Sequence, residues 1–263
     1  MSTDLVGAVH PSSVHLAHQL GSGAFGLVYQ GLVQLQGMNT TQIVAVEVLP
    51  GSASLEEQDA FCTYLGRLEA LGPHPNLVDL LGHCLGDTPL MGLFTLGNLG
   101  SLRELLRASR QPSDSLSLKG ANLTSLARDV ACGMAYLSLH GIQHGYLCAA
   151  NVLVDSDRAC RVSRHCAPLP AHRTYERWLA PELWEASAPL SQPGDVWAFG
   201  VTAWEIFTLG ATPYVTQPVF ELKPWLASGH RLEKPRLASA ATFALLTDCW
   251  AAEAQQRPDF TAL

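Results

Sequence analysis

Lysine is nearly missing from this chain. Lys119, Lys223 and Lys234 are the only three among 263 residues, so no lysine side chain precedes residue 119. Basic charge is scarce as a whole: 16 Lys and Arg against 23 Asp and Glu leave a net charge of −7. That balance excludes the dense positive surface on which non-specific nucleic-acid binding depends. The seven cysteines, Cys62, Cys84, Cys132, Cys148, Cys160, Cys166 and Cys249, are odd in number and include no C-x-x-C pair. They read as buried free thiols of a reducing compartment rather than a disulfide framework. His144, Cys148, Cys160, His165 and Cys166 do not have the spacing of a structural zinc site. Long apolar runs are missing too. The best candidate, residues 196–207, is too short for a bilayer and contains Glu205, so it reads as a core helix and no transmembrane segment is expected in this chain. The N-terminus, MSTDLVGAVH, lacks the basic-then-apolar order of a signal peptide.

What is present is a globular chain with ample core, 48% hydrophobic and 15% charged, sized for one large domain or two lobes sharing a cleft. The first hundred residues look strand-rich. A glycine turn at Gly21–Gly26 is followed by an apolar run at 27–32, and the alternating, β-branched run at 42–49 predicts another strand. Residues 77–84 and 90–94 read as two more. Between 54 and 71 the period changes to that of a helix, opened by a Ser-x-x-Glu capping box and closed before Pro73 and Pro75. Beyond a Gly97-Asn98 link the pattern turns helical, with segments at 102–110, 123–139, 196–209 and 243–252.

Several motifs follow in fixed order. Gly21-x-Gly23-x-x-Gly26 sits between two strands instead of opening a helix, which disfavours a dinucleotide site. Then come Val44-Ala45-Val46-Glu47, His144-x-x-Leu-x-x-x-Asn151, Ala180-Pro181-Glu182 and the Asp195–Gly200 run DVWAFG. This series resembles the protein kinase domain. The resemblance covers residues 14–263 and stops within what would be the family's last helix. The stretches 178–182, 204–214, 229–235 and 248–250 look like the tyrosine-kinase branch, most closely receptors of the fibroblast growth factor type. The implied fold is α+β and two-lobed: residues 14–97 form a lobe with a five-stranded antiparallel sheet, one helix and the hinge, and residues 98–263 form a larger helical lobe.

Phosphoryl transfer asks a protein to position groups and to neutralise charge, and the resemblance says which positions should do so. The phosphate-holding lysine falls on Glu47, whose carboxylate would repel phosphate, and no lysine nearby replaces it. Its helix partner, ordinarily Glu, falls on Tyr64, or on Leu65 if the loop is one residue shorter. The general base falls on Tyr146, a phenol that titrates near ~10 and is no base at neutral pH. Tyr146 then either fills space or serves as a hydrogen-bonding lock. The magnesium-binding Asp falls on Arg164, which cannot ligate a cation. Asn151 alone persists as a candidate metal ligand, and a structural turn role is equally open for it. The reversed signs at Glu47 and Arg164 suggest a direct ion pair; the alternative leaves both side chains in solvent. His165 reads as the replacement of an apolar core residue. Only 19 residues run from Arg164 to Glu182, a short activation segment, and Tyr175 within it is a candidate phosphorylation site.

The architectural positions are kept. His144, Asp195, Glu182 and Arg257 match the family's structural residues. Leu20, Gly21, Gly23, Gly26, Val28, Ala45, Phe94, Thr95, Gly97 and Leu153 match its adenine pocket, glycine loop and hinge. The resemblance therefore implies a tyrosine-kinase-like pseudokinase with no intact catalytic residue and no required cofactor, binding ATP weakly and without magnesium if at all. Such a domain works in signalling as a scaffold or allosteric partner of other proteins, an active kinase among them. It would be cytoplasmic, or on the cytoplasmic side of a receptor if the chain is a fragment. The alternatives are a metal-independent nucleotide-binding switch and a tyrosine kinase with weak residual phosphotransfer.

Overall fold

The computed structural model describes residues 7–34, 41–86, 88–110, 118, 120–167, 175–185 and 188–263. The chain divides into two compact units, Met1–Leu96 with Cys166–Pro168, and Gly97–His165 with Leu169–Leu263.

Alternating apolar residues in the first unit build β1 (Val14–Ser22), β2 (Leu27–Gln34), β3 (Thr41–Val48), β4 (Leu80–Cys84) and β5 (Met91–Phe94), ordered β1-β2-β3-β5-β4. Every neighbouring pair is antiparallel. Residues opposed across such a ladder share a face, as do residues two apart along a strand. Val44, Val46 and Leu93 thus line one face and join Val33, Leu81, Cys84 and Met91 in an apolar cluster. The pairings Val28↔Glu47, Glu47↔Gly92 and Ala45↔Phe94 set Val28, Ala45, Glu47 and Phe94 together on the other face. The expected strand at 77–84 is shorter than its apolar run, because Asp79 turns its carboxylate to the backbone N–H of His74 at 3.0 Å and holds residues 74–79 in a turn. Val9 N–H donates to the His83 carbonyl at 2.8 Å, and His83 N–H to that of Gly7 at 3.2 Å, so residues 7–9 cover the free edge of β4.

Helix α1 (Leu55–Leu71) begins at a complete capping box. Ser54 Oγ accepts from Glu57 N–H at 3.2 Å, and Glu57 Oε2 accepts from Ser54 N–H at 2.7 Å. The helix lies on the Glu47 face, where Leu65 Cδ2 is 2.8 Å from the position a Gly92 Cβ would take. A side chain at that position would have to push Leu65 and the Phe94 ring aside, so glycine eases the packing of the helix on the strand.

The second unit holds α2 (Leu102–Ala108), α3 (Gly120–Leu139), the hairpin β6 (Val152–Val154) and β7 (Cys160–Val162), α4 (Gln192–Phe207), α5 (Val219–Ala227) and α6 (Ala240–Cys249). Helix α4 is its centre: Val196, Trp197, Val201 and Ile206 are fully buried. Helix α5 lies outside the segments expected to be helical, and Pro224 sits inside it; proline removes a donor and ordinarily ends a helix. Among the described residues, no helix is long and apolar enough to cross a membrane.

Candidate functional site

In the first unit the glycine turn closes tightly, with Gly23 N–H donating to the Gly26 carbonyl at 2.7 Å. A Cβ at Gly26 would fall 2.0 Å from the Val48 carbonyl oxygen, so a side chain is excluded there. Gly21 stands opposite Val28, Leu20 is 45% exposed, and Thr95 receives the Asp79 N–H on its hydroxyl at 3.0 Å. Glu47 is buried, which removes the solvent-facing alternative for this residue. Its Oε1 accepts from the Phe25 backbone N–H at 2.7 Å. The Phe25 ring lies 5.2 Å from both Phe61 and Tyr64, and Tyr64 reaches Phe94 at 6.4 Å. Between the two candidates for the helix partner, Tyr64 joins this aromatic file, whereas Leu65 packs against β5 at Gly92. A ring contact to Tyr64 and a backbone bond to Glu47 thus hold the tip of the turn.

In the second unit the loop that carries His144, Tyr146 and Asn151 is pinned from α4. The Asp195 carboxylate, buried in the first turn of that helix, accepts from His144 N–H at 2.7 Å and Gly145 N–H at 2.8 Å. Gly145 needs its φ of +84° to present that N–H. Tyr146 is also buried and donates its hydroxyl to the Arg164 carbonyl at 2.8 Å, so of the two roles open to it the geometry is that of a lock. Asn151 turns its amide nitrogen to the Tyr146 carbonyl at 2.9 Å, and its own carbonyl receives both N–H and hydroxyl of Ser163 at 2.9 Å. These bonds engage the amide nitrogen and the backbone carbonyl of Asn151, whereas a metal would be held by the other side-chain atom, Oδ1, so both roles stay open for it. Arg164 and Cys166 take left-handed backbone with φ of 65° and 64°, costly for residues with side chains, and bracket the buried His165. Gly97 lies against Leu153, leaving 2.6 Å between a hypothetical Cβ and that of Leu153. Glu182 and Arg257 form a two-pronged ion pair at 2.5 and 2.9 Å. Among the described residues no cluster of three or more His, Cys, Asp or Glu side chains offers a metal site.

For two groups of residues the sequence reading gave the position but not the bonds. One is Glu205, fully buried near the end of α4, which accepts from Ala149 N–H at 2.9 Å and from the Trp178 indole at 2.7 Å. A lone carboxylate in an apolar helix was the available signal, since a buried charge must find donors. The other is the strip 175–178. The Tyr175 ring stacks on Tyr146 at 5.7 Å, and Arg177 donates to the carbonyls of Pro213, Tyr214 and Gln217. Residues 168–174 of the short activation segment lie outside the described residues.

Burial pushes Asp195 from an ordinary 3.8 up to about 6, against the pull of its two N–H donors, and Glu205 from 4.5 up to about 7. It pushes His144 from 6.5 down to about 4 and His165 down to about 3. The two kinds of shift oppose each other. The raised carboxylates contribute stability that is present at low pH and lost as pH rises through about 6 and 7. The lowered imidazoles contribute stability that is present above 6.5 and lost as pH falls toward 4. Wild-type stability is therefore expected to be nearly flat between about pH 4.5 and 6. Glu205→Gln removes one opposing group, and stability should then rise with pH across that window. Urea unfolding at half-unit pH steps reads both slopes, and a variant as flat as wild type contradicts the assignment.

A strand–glycine turn–strand in one unit and a backbone loop pinned from a buried helix in the other are the marks of a protein kinase domain. The chain belongs to the protein tyrosine and serine/threonine kinase family, whose model matches residues 14–263. Among curated proteins it is similar to fibroblast growth factor receptor 1 of Pleurodeles waltl and of Xenopus laevis, 35% identical to each over 274 residues and 94% of this chain. It is 34% identical to the fibroblast growth factor receptor of Strongylocentrotus purpuratus over 93% of this chain. The chain spans 33%, 33% and 27% of those relatives' lengths.

Proposed function

We propose that this domain transfers no phosphate and acts in signalling through protein–protein contacts, as a scaffold or allosteric partner of other proteins, an active kinase among them. The observation that carries the reading is Glu47. A carboxylate occupies the position where the family places its phosphate-holding cation, and it is buried and bonded to the glycine turn. Tyr146 supports it, because a phenol committed to the Arg164 carbonyl is not a base poised over a substrate hydroxyl. Arg164 adds a cation where a magnesium ligand would be needed. The likeness to receptors supports a place on the cytoplasmic side of a membrane, as part of a longer chain. ATP, if it binds at all, does so weakly and without magnesium.

Label transfer from γ-labelled ATP, with magnesium and with manganese, tests the reading. No label is expected on the chain itself or on a random Glu-Tyr polymer. Label that appears and is then lost on Asn151→Ala would overturn it.

A further inference from the structure

Glycine-rich turns hold anions because their backbone N–H groups converge on a space that no side chain fills. Here that space has an internal occupant. A Cβ built on Gly23 would lie 2.1 Å from Glu47 Oε1, 2.5 Å from its Cδ and 3.1 Å from its Cγ. No other atom is among the three nearest to that Cβ, so the open side of Gly23 is taken up by one carboxylate. The same Oε1 accepts the Phe25 N–H at 2.7 Å. The register explains why the carboxylate arrives there: Glu47 is opposite Val28, and Val28 is opposite Gly21, which places all three on one face beside the turn. Phe25 then folds onto Phe61 and Tyr64 of α1, which holds the turn down over the carboxylate.

We propose that the glycine turn is an anion site occupied from within, the Glu47 carboxylate standing in for an external polyphosphate, which enters only when that carboxylate is removed. This rests on reading Glu47 as the family's phosphate-facing position and deepens it. A missing lysine would only weaken phosphate binding, whereas a bonded carboxylate in the turn blocks it by charge and by volume. The ligand class is a polyphosphate, free or carried by a nucleoside.

Two readouts test this. The first is a mutant cycle on melting temperature. Gly23→Ala should lower the melting temperature of the wild-type chain by roughly 2–10 °C, because the new methyl collides with a bonded carboxylate. In a Glu47→Ala background the same change should cost almost nothing. Equal costs in both backgrounds overturn the proposal.

The second readout is ligand stabilisation without metal, in EDTA, using millimolar tripolyphosphate, ATP and adenosine as separate probes. Tripolyphosphate should leave wild type unmoved and raise Glu47→Ala by about 2 °C or more. A response to ATP beyond that to adenosine locates the gain in the phosphates. A wild type stabilised by tripolyphosphate as strongly as the variant overturns the proposal. If Glu47→Ala does not fold, Glu47→Ser serves instead, removing the charge and most of the volume from the turn: a rise with tripolyphosphate supports the proposal and no rise overturns it. Failure here leaves the absence of phosphotransfer standing, since label transfer reads that separately.

Discussion

Restoring Glu47, Tyr146 and Arg164 to Lys, Asp and Asp is expected to leave phosphotransfer at least about 10⁴-fold below that of an intact tyrosine kinase domain, and within about tenfold of wild type. A general base contributes about 10²–10⁴ and each preorganised charge contact about 10²–10³, but only when placed correctly. A lysine at 47 would find no acid at Tyr64 or Leu65 to orient it, and Tyr64 is committed to Phe25 and Phe94. An Asp at 146 would lose the phenol bond that holds the Arg164 carbonyl. The Asp at 164 meets no such obstacle, because aspartate tolerates the left-handed backbone there, φ 65°, better than arginine does, so the shortfall rests on the other two positions. Single-turnover transfer from ATP, compared among wild type, the triple variant and an active kinase domain, measures this. A triple variant approaching the active domain would show that the surroundings had kept their competence.

The second large effect concerns the fold. Arg257→Ala should destabilise the second unit by about 3 kcal/mol, lowering its melting temperature by roughly 6–12 °C. The guanidinium is buried, pairs with both oxygens of Glu182, donates to the Ala251 and Pro193 carbonyls at 3.0 Å each, and lies 5.0 Å over the Trp197 ring. Its removal leaves two carbonyls and a carboxylate without donors. The estimate sits low in the range for broken buried pairs because the Glu182 side chain keeps 36% exposure and is partly hydrated. Arg257→Lys should recover only part of the loss, since an ammonium cannot span the same acceptors. Calorimetry on the three proteins decides; a loss under about 1 kcal/mol would mean that the pair is spectator to the fold.

Much of this architecture was legible because local chemistry and long-range packing agree. The Ser54-x-x-Glu57 cap, the alternation at 42–49 and the glycine turn each have one physical solution, and the structure adopts it. Helix α5 was not legible, because Pro224 argues locally for a break that packing of the buried Leu222 and Leu226 overrides. At the site, residue types could be read but not their bonds. The choice between filler and lock for Tyr146 depends on a carbonyl 18 residues away. The packing of Glu47 under Gly23 depends on strand register, which no local pattern states. Glu205 was noticed only as a charge in an apolar run, and its donors come from Ala149 and Trp178, far along the chain.

The proposed function is that of a kinase fold without metal–phosphate chemistry. The most direct measurement is the melting temperature of the wild-type chain with ATP, titrated first in EDTA and then in magnesium. No shift is expected at millimolar ATP in EDTA and no gain when magnesium is added, as follows from the proposed roles of Glu47 in the turn and of Arg164 at the metal-ligand position. A stabilisation that grows with magnesium would contradict it.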